Sequence, residues 1–159
     1  SIPNVTIDGS WALSNSGAWS FYNNDPSNDA TFGKLYNWYA VNDPRGLCPS
    51  GWHVATENNW QSLSTPFGGF GAAGNELKTT TSWTLPNSNT NTSGFSALPG
   101  GGRSSGGSFA DITSRGGWWT SSTSGPVTSK YISMIFNSDA VGVFDIDVKS
   151  GFSVRCVKD

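Results

Sequence analysis

The sequence predicts an α+β domain, on three observations. Residues 56–79 carry two short stretches with helical spacing, and residues 95–157 carry five short apolar runs set between turn-forming residues. From Trp83 onward no helical periodicity appears. Twenty-one aromatic residues, eight of them Trp, mark this Gly- and Ser-rich chain as folded, because disordered chains lack the large apolar side chains that offset ordering entropy. At 159 residues it is one domain, long enough to bury a core.

In residues 1–32, apolar pieces at 5–7 and 19–22 alternate with Asn, Asp, Gly and Ser, the pattern of extended segments joined by turns. Residues 34–41 hold Tyr36, Trp38 and Tyr39 and are expected to be buried, and Asn42-Asp43-Pro44-Arg45-Gly46 then turns the chain. Thr56 is placed to cap a helix, with Glu57 favourable in its first turn and Trp60 and Leu63 on one buried face. Pro66 stops it. A second short helix is expected over 72–79 with Leu77 inward, followed by a polar loop over 86–94. Strands are expected at 95–98, 117–122, 131–136, 141–148 and 152–157. Strand alternation puts Val141, Val143, Asp145 and Asp147 on one side and Gly142, Phe144, Ile146 and Val148 on the other. The second, mostly apolar set is expected to face the core.

Bulk properties narrow the partners. A net charge of −2 and scattered Lys and Arg offer no general attraction to nucleic acid or to an anionic membrane surface. No apolar run approaches the roughly 20 residues of a spanning helix. The chain opens on Ser1 with neither an initiator Met nor a signal peptide, as expected of a mature product or an excised domain. Cys48 and Cys156 have no further Cys or His at metal-ligand spacing. They are either two thiols in a reducing compartment or one bridge, which the firm flanks of both favour. A bridge closing so long a loop adds ~4–5 kcal/mol by the chain-entropy estimate, less any strain, and implies an oxidising compartment.

Catalytic and metal patterns are weak. His53, the only histidine, lies between Trp52 and Val54 and is expected to be packed rather than catalytic. Asp145 and Asp147 share a strand face with Cα atoms about 6.5–7 Å apart, which a glycosidase pair could use, but distance alone is weak evidence and solvated strand-face residues or polar ligand contacts fit better. Gly69-Phe70-Gly71-Ala72-Ala73-Gly74 has the glycine spacing of a dinucleotide fingerprint without a preceding strand or a following acidic residue. Asn87, Asn89 and Asn91 offer oxygens to calcium, but their loop carries no carboxylate. Asn4-Val5-Thr6 and Asn91-Thr92-Ser93 are glycosylation sequons in a host that glycosylates. No metal and no cofactor is expected.

Five blocks carry a resemblance. They are Gly33-Lys34-Leu35-Tyr36-Asn37-Trp38-Tyr39-Ala40-Val41, Gly46-Leu47-Cys48-Pro49-Ser50-Gly51-Trp52-His53-Val54, Ser93-Gly94-Phe95-Ser96-Ala97-Leu98-Pro99-Gly100-Gly101, Trp118-Trp119-Thr120-Ser121-Ser122 and Gly151-Phe152-Ser153-Val154-Arg155-Cys156-Val157. In content and order they resemble the Fibrobacter succinogenes major paralogous domain, across residues 33–157. Residues 1–32 stand outside the recognised motifs as an N-terminal extension. The resemblance implies a C-type-lectin-like fold, with two short helices and a mostly antiparallel, irregular set of strands, related to the formylglycine-generating enzyme domain. It also matches Cys48 and Cys156 to the family's own cysteine pair. Such domains occur in bacterial surface proteins, in phage-encoded proteins and as variable proteins of diversity-generating retroelements, where a fixed scaffold carries a diversified C-terminal binding patch.

Two departures bear on activity. The Glu-Pro-Asn, Gln-Pro-Asp and Trp-Asn-Asp triplets of sugar-binding lectins are absent, and so is the catalytic cysteine pair of the formylglycine-generating enzymes. Between residues 123 and 148, only Lys130 and Met134 lie outside the set reachable by adenine-directed mutagenesis of Asn codons.

The expectation is therefore a non-enzymatic binding module, at a cell surface, on a virion or otherwise extracellular, that takes a protein or glycan ligand. Its surface is expected to use Ser104, Ser105, Ser108, Asp111 and Arg115 from the stretch 102–115. From 123–147 it adds Thr128, Lys130, Tyr131, Ser133, Phe136, Ser138 and Asp139, then Phe144, Asp145 and Asp147. Aromatics supply contact area and the small polar residues adaptable hydrogen bonds. The alternatives are a structural envelope or virion module that packs the same surface against a sister domain, and a carbohydrate hydrolase using Asp145 and Asp147.

Overall fold

A computed structural model describes residues 1–159. Its first third is more helical than the sequence reading expects. Helix α1 (Asp8–Ala12), strand β1 (Trp19–Ser20), helix α2 (Asp29–Phe32), strand β2 (Leu35–Tyr36) and helix α3 (Trp38–Val41) follow one another. None of these helices exceeds five residues, so none can show a period, and tertiary contacts hold them. Trp11 of α1 is buried and donates its indole N–H to the Lys149 carbonyl at 2.8 Å. Asn37 caps α3: its Oδ1 accepts from the Ala40 amide at 3.1 Å and the Ala18 amide at 2.9 Å, and its Nδ2 donates to the Ser16 carbonyl.

Strand β3 (Trp52–Val54) leads into helix α4 (Glu57–Ser64), which begins where Thr56 predicts. The Thr56 hydroxyl accepts from the Asn59 amide while Asn59 Oδ1 accepts from the Thr56 amide, a capping box with Asn in place of the usual Glu or Gln. Trp60 is buried, and Pro66 falls in the 3-10 turn that ends the helix. Helix α5 (Gly74–Leu77) is shorter than the expected 72–79 but does bury Leu77. The expected strand at 95–98 is absent apart from a bridge between Ala97 and Lys78, because Ser96 has φ +60° and breaks the extended run.

The remaining strands are β4 (Gly100–Arg103), β5 (Phe109–Ile112), β6 (Arg115–Thr123), β7 (Thr128–Ile135), β8 (Val141–Asp147) and β9 (Cys156–Lys158). Five form one sheet, in the order β5-β4-β6-β7-β8, antiparallel except for a short parallel step between β4 and β6. Strand β9 pairs antiparallel with β3, and beside it a disulfide joins Cys48 to Cys156 across a Cα separation of 5.8 Å.

The sheet has two unlike faces. One presents Trp118, Ile132, Met134 and Val141 to Trp60, Leu77, Trp83 and Ala97, a buried cluster roofed by α4 and α5. The other presents Trp119 and Tyr131 to Trp38, Val54 and Phe152, and is covered across β6 and β7 but leaves Phe144 of β8 exposed. The expected core-facing set of β8 holds only in part: Val148 is buried and Ile146 packs in the same cluster, but the opposite set packs as well. Val141 and Val143 pack in the roofed cluster, whereas Phe144, on the opposite side, is 54% exposed. Alternation alone could not fix the phase because both sides of β8 carry apolar residues.

A candidate ligand-binding surface

Six of the predicted positions come together, five from 104–115 and one from the end of β8. Ser104, Ser105, Ser108, Asp111, Arg115 and Asp147 line a cleft of about 350 Å³, with Phe109, Ile146, Ser150 and Phe152 between them. The cleft lies at the open end of the partly covered face. Its 104–108 rim is a tight turn, closed by the Ser104 amide donating to the Ser108 carbonyl at 2.8 Å and the Ser108 amide donating to Ser104 Oγ at 3.1 Å.

The turn rests on Arg103, which is 1% exposed. Its guanidinium lies between the rings of Trp11 and Phe109, 4.3 and 4.6 Å from their centroids. Nε donates to the Gly107 carbonyl at 2.7 Å, Nη1 to the Val5 carbonyl at 2.7 Å and Nη2 to Asp8 at 2.8 Å. Burial pulls the Arg103 pKa down, and the hydrogen bond and charge of Asp8 oppose it. One side chain thus ties the N-terminal segment to the floor of the cleft.

An aromatic row continues from the cleft. Phe152 stacks on Tyr131 with centroids 4.3 Å apart and planes 4° apart, and Tyr131 meets Phe144 at 5.9 Å. Gly102 and Gly117 leave the space that the Phe152 ring fills, since a Cβ on either would overlap it. The Phe144 ring lies over Gly142 in the same way, so an exposed aromatic is held against backbone. Arg115 pairs with Asp111 at 3.1 Å, while its Nε is buried without a partner. Burial raises the Tyr131 pKa, and the Arg115 charge opposes that shift.

The structure separates the other predicted residues. Tyr131 and Ser133 are buried, 8% and 4% exposed, so they support the surface rather than form it. Thr128 sits at the β7 end, its Oγ1 accepting from Ser124 Oγ. Lys130 lies 3.6 Å from Glu57 and 3.9 Å from Asp145, an ion cluster on the roofed side of the sheet. Phe136 and Asp139 line a different cavity of about 220 Å³ with Asn75 and Asn87, and Asp139 accepts from Asn75 Nδ2 at 2.5 Å. Ser138 lies on that side too, its carbonyl accepting from Lys78 Nζ. Asp145 and Asp147 do separate work, because Asp147 closes the next turn by accepting from the Lys149 amide at 2.8 Å.

Other candidates resolve locally. His53 is half exposed rather than packed, with Nδ1 2.6 Å from Asp159 and Nε2 3.2 Å from Asn59. Hydrogen bonding to Asp159, then to Asn59, raises its pKa. Asn87, Asn89 and Asn91 use their amides to tie the loop to its flanks, on the Thr84 and Thr79 carbonyls and Ser96 Oγ. The glycine run 69–74 forms the turn into α5, with no strand before it. No group of three or more His, Cys, Asp or Glu side chains is arranged to share a metal, and no helix is long and apolar enough to cross a membrane.

Sequence reasoning missed Phe109, Ile146 and Phe152 in the cleft wall. Phe109 lay inside the stretch 102–115 and could have been named. Phe152 was hidden by its place in a framework block, and Ile146 by the phase of β8.

The model of the Fibrobacter succinogenes major domain matches residues 2–158. The chain belongs to that family. No curated protein and no solved structure matches it. The family match takes in residues 2–32, which lie before the first of the five blocks. Trp11 and the bonds from Arg103 to Val5 and Asp8 join this part of the family domain to the sheet.

Proposed function

We propose that this Fibrobacter succinogenes major domain is a non-enzymatic recognition module that binds a protein or glycan ligand on the partly covered face of its sheet. The single observation that carries this reading is the cleft with its aromatic extension. Polar side chains on a stiff turn share the cleft with Phe152, from which the row through Tyr131 leads to the exposed Phe144. Aromatic anchors beside Ser, Asp and Arg are what recognition surfaces use, and a site held by buried neighbours binds at low ordering cost.

The few short helices and the mostly antiparallel sheet support a C-type-lectin-like framework whose surface tolerates exchange. The Cys48–Cys156 bridge favours an oxidising location, and so supports display on a cell surface or virion. Diversification by a retroelement predicts, in the gene neighbourhood, a near-copy of the coding region for residues 102–157 beside a reverse transcriptase. Absence of that copy leaves the binding proposal and removes the diversification.

The binding test uses a glycan array and a panel of intact bacterial cells, probed with the labelled domain and with an Arg115→Ala/Phe144→Ala variant. The expected result is a ligand that the variant binds at least about tenfold more weakly, or ~1.4 kcal/mol, at an unchanged melting temperature. A ligand held equally well by the variant places recognition elsewhere and overturns the proposal.

A further inference from the structure

Among the basic side chains buried wholly or in part, the two that are wholly buried, Lys78 and Arg103, are saturated. Lys78 donates to the Ile135 and Ser138 carbonyls at 2.8 Å each, and Arg103 has the three partners described above. Arg155 is the exception. Its Nε is buried with no acceptor, and it takes part in none of the ion pairs of the molecule. Its one specific neighbour is the Phe95 ring, 5.3 Å away. Burial lowers its pKa with no opposing charge nearby. A partly buried guanidinium whose Nε has no acceptor and which has no counter-charge marks a place where an anion is stabilised.

Arg155 stands in the wall of the largest cavity, about 460 Å³, within the usual range for small-ligand sites. The other walls are mostly apolar, with Trp52, Trp60, Leu63, Phe95 and Val157. Lys158 adds a second cation, and no Asp or Glu lines the space. A second cavity of about 290 Å³ also touches Arg155, but its cation Lys34 is already paired with Asp29 at 3.0 Å. The 460 Å³ cavity shares no lining residue with the cleft on the partly covered face.

We infer that this cavity is a second binding site, which takes an organic carboxylate with an apolar body, its carboxylate on Arg155 and its body between Leu63 and Phe95. The chemistry is met by a free acid or by the C-terminus of a peptide ending in an apolar residue. Arg gives a carboxylate paired donors in a planar fork, and the apolar walls remove the rest of the ligand from water.

The test titrates the intact domain with 4-phenylbutyrate and its neutral amide, and with a tripeptide ending in phenylalanine as free acid and as C-terminal amide. Binding is read from the indole N–H resonances of Trp52 and Trp60. The expected result is saturable displacement by at least one acid, with the matching amide at least tenfold weaker. Tighter binding of the small acid assigns a free acid, and tighter binding of the peptide assigns a chain terminus. Arg155→Gln weakens the acid at least tenfold, while Phe144→Ala leaves it unchanged and so separates this site from the sheet face. If Arg155→Gln does not fold, the acid-against-amide comparison on the unaltered domain still decides. Equal binding of acid and amide, or no saturation at millimolar concentration by either acid, overturns the inference.

Discussion

The two faces of the five-stranded sheet are made by the same strands and do different work. On one, Trp118, Ile132, Met134 and Val141 are at most 3% exposed and are roofed by two helices. On the other, burial is complete at Trp119 and falls away across Tyr131 to Phe144, which is more than half exposed. The difference teaches how a small domain can keep stability and recognition apart. Side chains that alternate along one strand are separated by the sheet itself, so a change on one face need not disturb the packing of the other.

The largest expected effect is on the frame that both faces share. Replacing Cys48 and Cys156 with Ser opens a loop of 108 residues and should cost up to ~4–5 kcal/mol in denaturant unfolding. A loss well below 1 kcal/mol would show that the pairing of β3 with β9 holds the terminus without the bridge.

Next comes the direct contrast of faces. Trp118→Ala should cost about 3–5 kcal/mol, because a fully packed indole leaves a cavity. Phe144→Ala should stay within about 1 kcal/mol, since most of its ring already meets water. Equal losses would erase the distinction. Gly142→Ala sharpens it: its Cβ would enter the space of the Phe144 ring, so that ring must swing away. Stability should change by less than about 1 kcal/mol, while ligand binding on that face weakens.

The smallest effect is electrostatic and lies off both faces. The His53 pKa is raised above 6.5 by Asp159, so its contribution is fully present below that value and is lost as pH rises through the folded pKa. Both partners are exposed, so the effect is slight and screened by salt. Melting temperatures of the domain and of Asp159→Asn should differ most at about pH 5 and converge above about pH 8.

What the sequence revealed was local. Thr56, Trp60 and Leu63 announce α4 because a cap and a helical period are contained within eight residues. The strands at 117–122, 131–136 and 141–148 were recognisable by their apolar runs. Helix α1 was not, because one turn around Trp11 has no period and is held by Lys149 far along the chain. Strand β4 was hidden because Gly100-Gly101-Gly102-Arg103 has almost no strand propensity, and Gly102 is there to admit Phe152. The candidate surface was half legible. Its 104–115 rim is contiguous in sequence, whereas Phe136 and Asp139 are carried to Asn75 by a turn whose direction no pattern encodes.

The most direct test of the division between faces is a pair of displayed libraries. One randomises Ser104, Ser108, Asp111, Arg115, Phe144 and Ile146, and the other randomises Ala97, Trp118, Ile132, Met134, Val141 and Leu77. Each is sorted first for resistance to protease and then for binding to a chosen target protein. The account predicts that most of the first library remains folded and yields binders whose changes map to the cleft and Phe144, while the second is largely destroyed by protease. Equal loss of folding in both libraries, or binders arising only outside the first six positions, would contradict it.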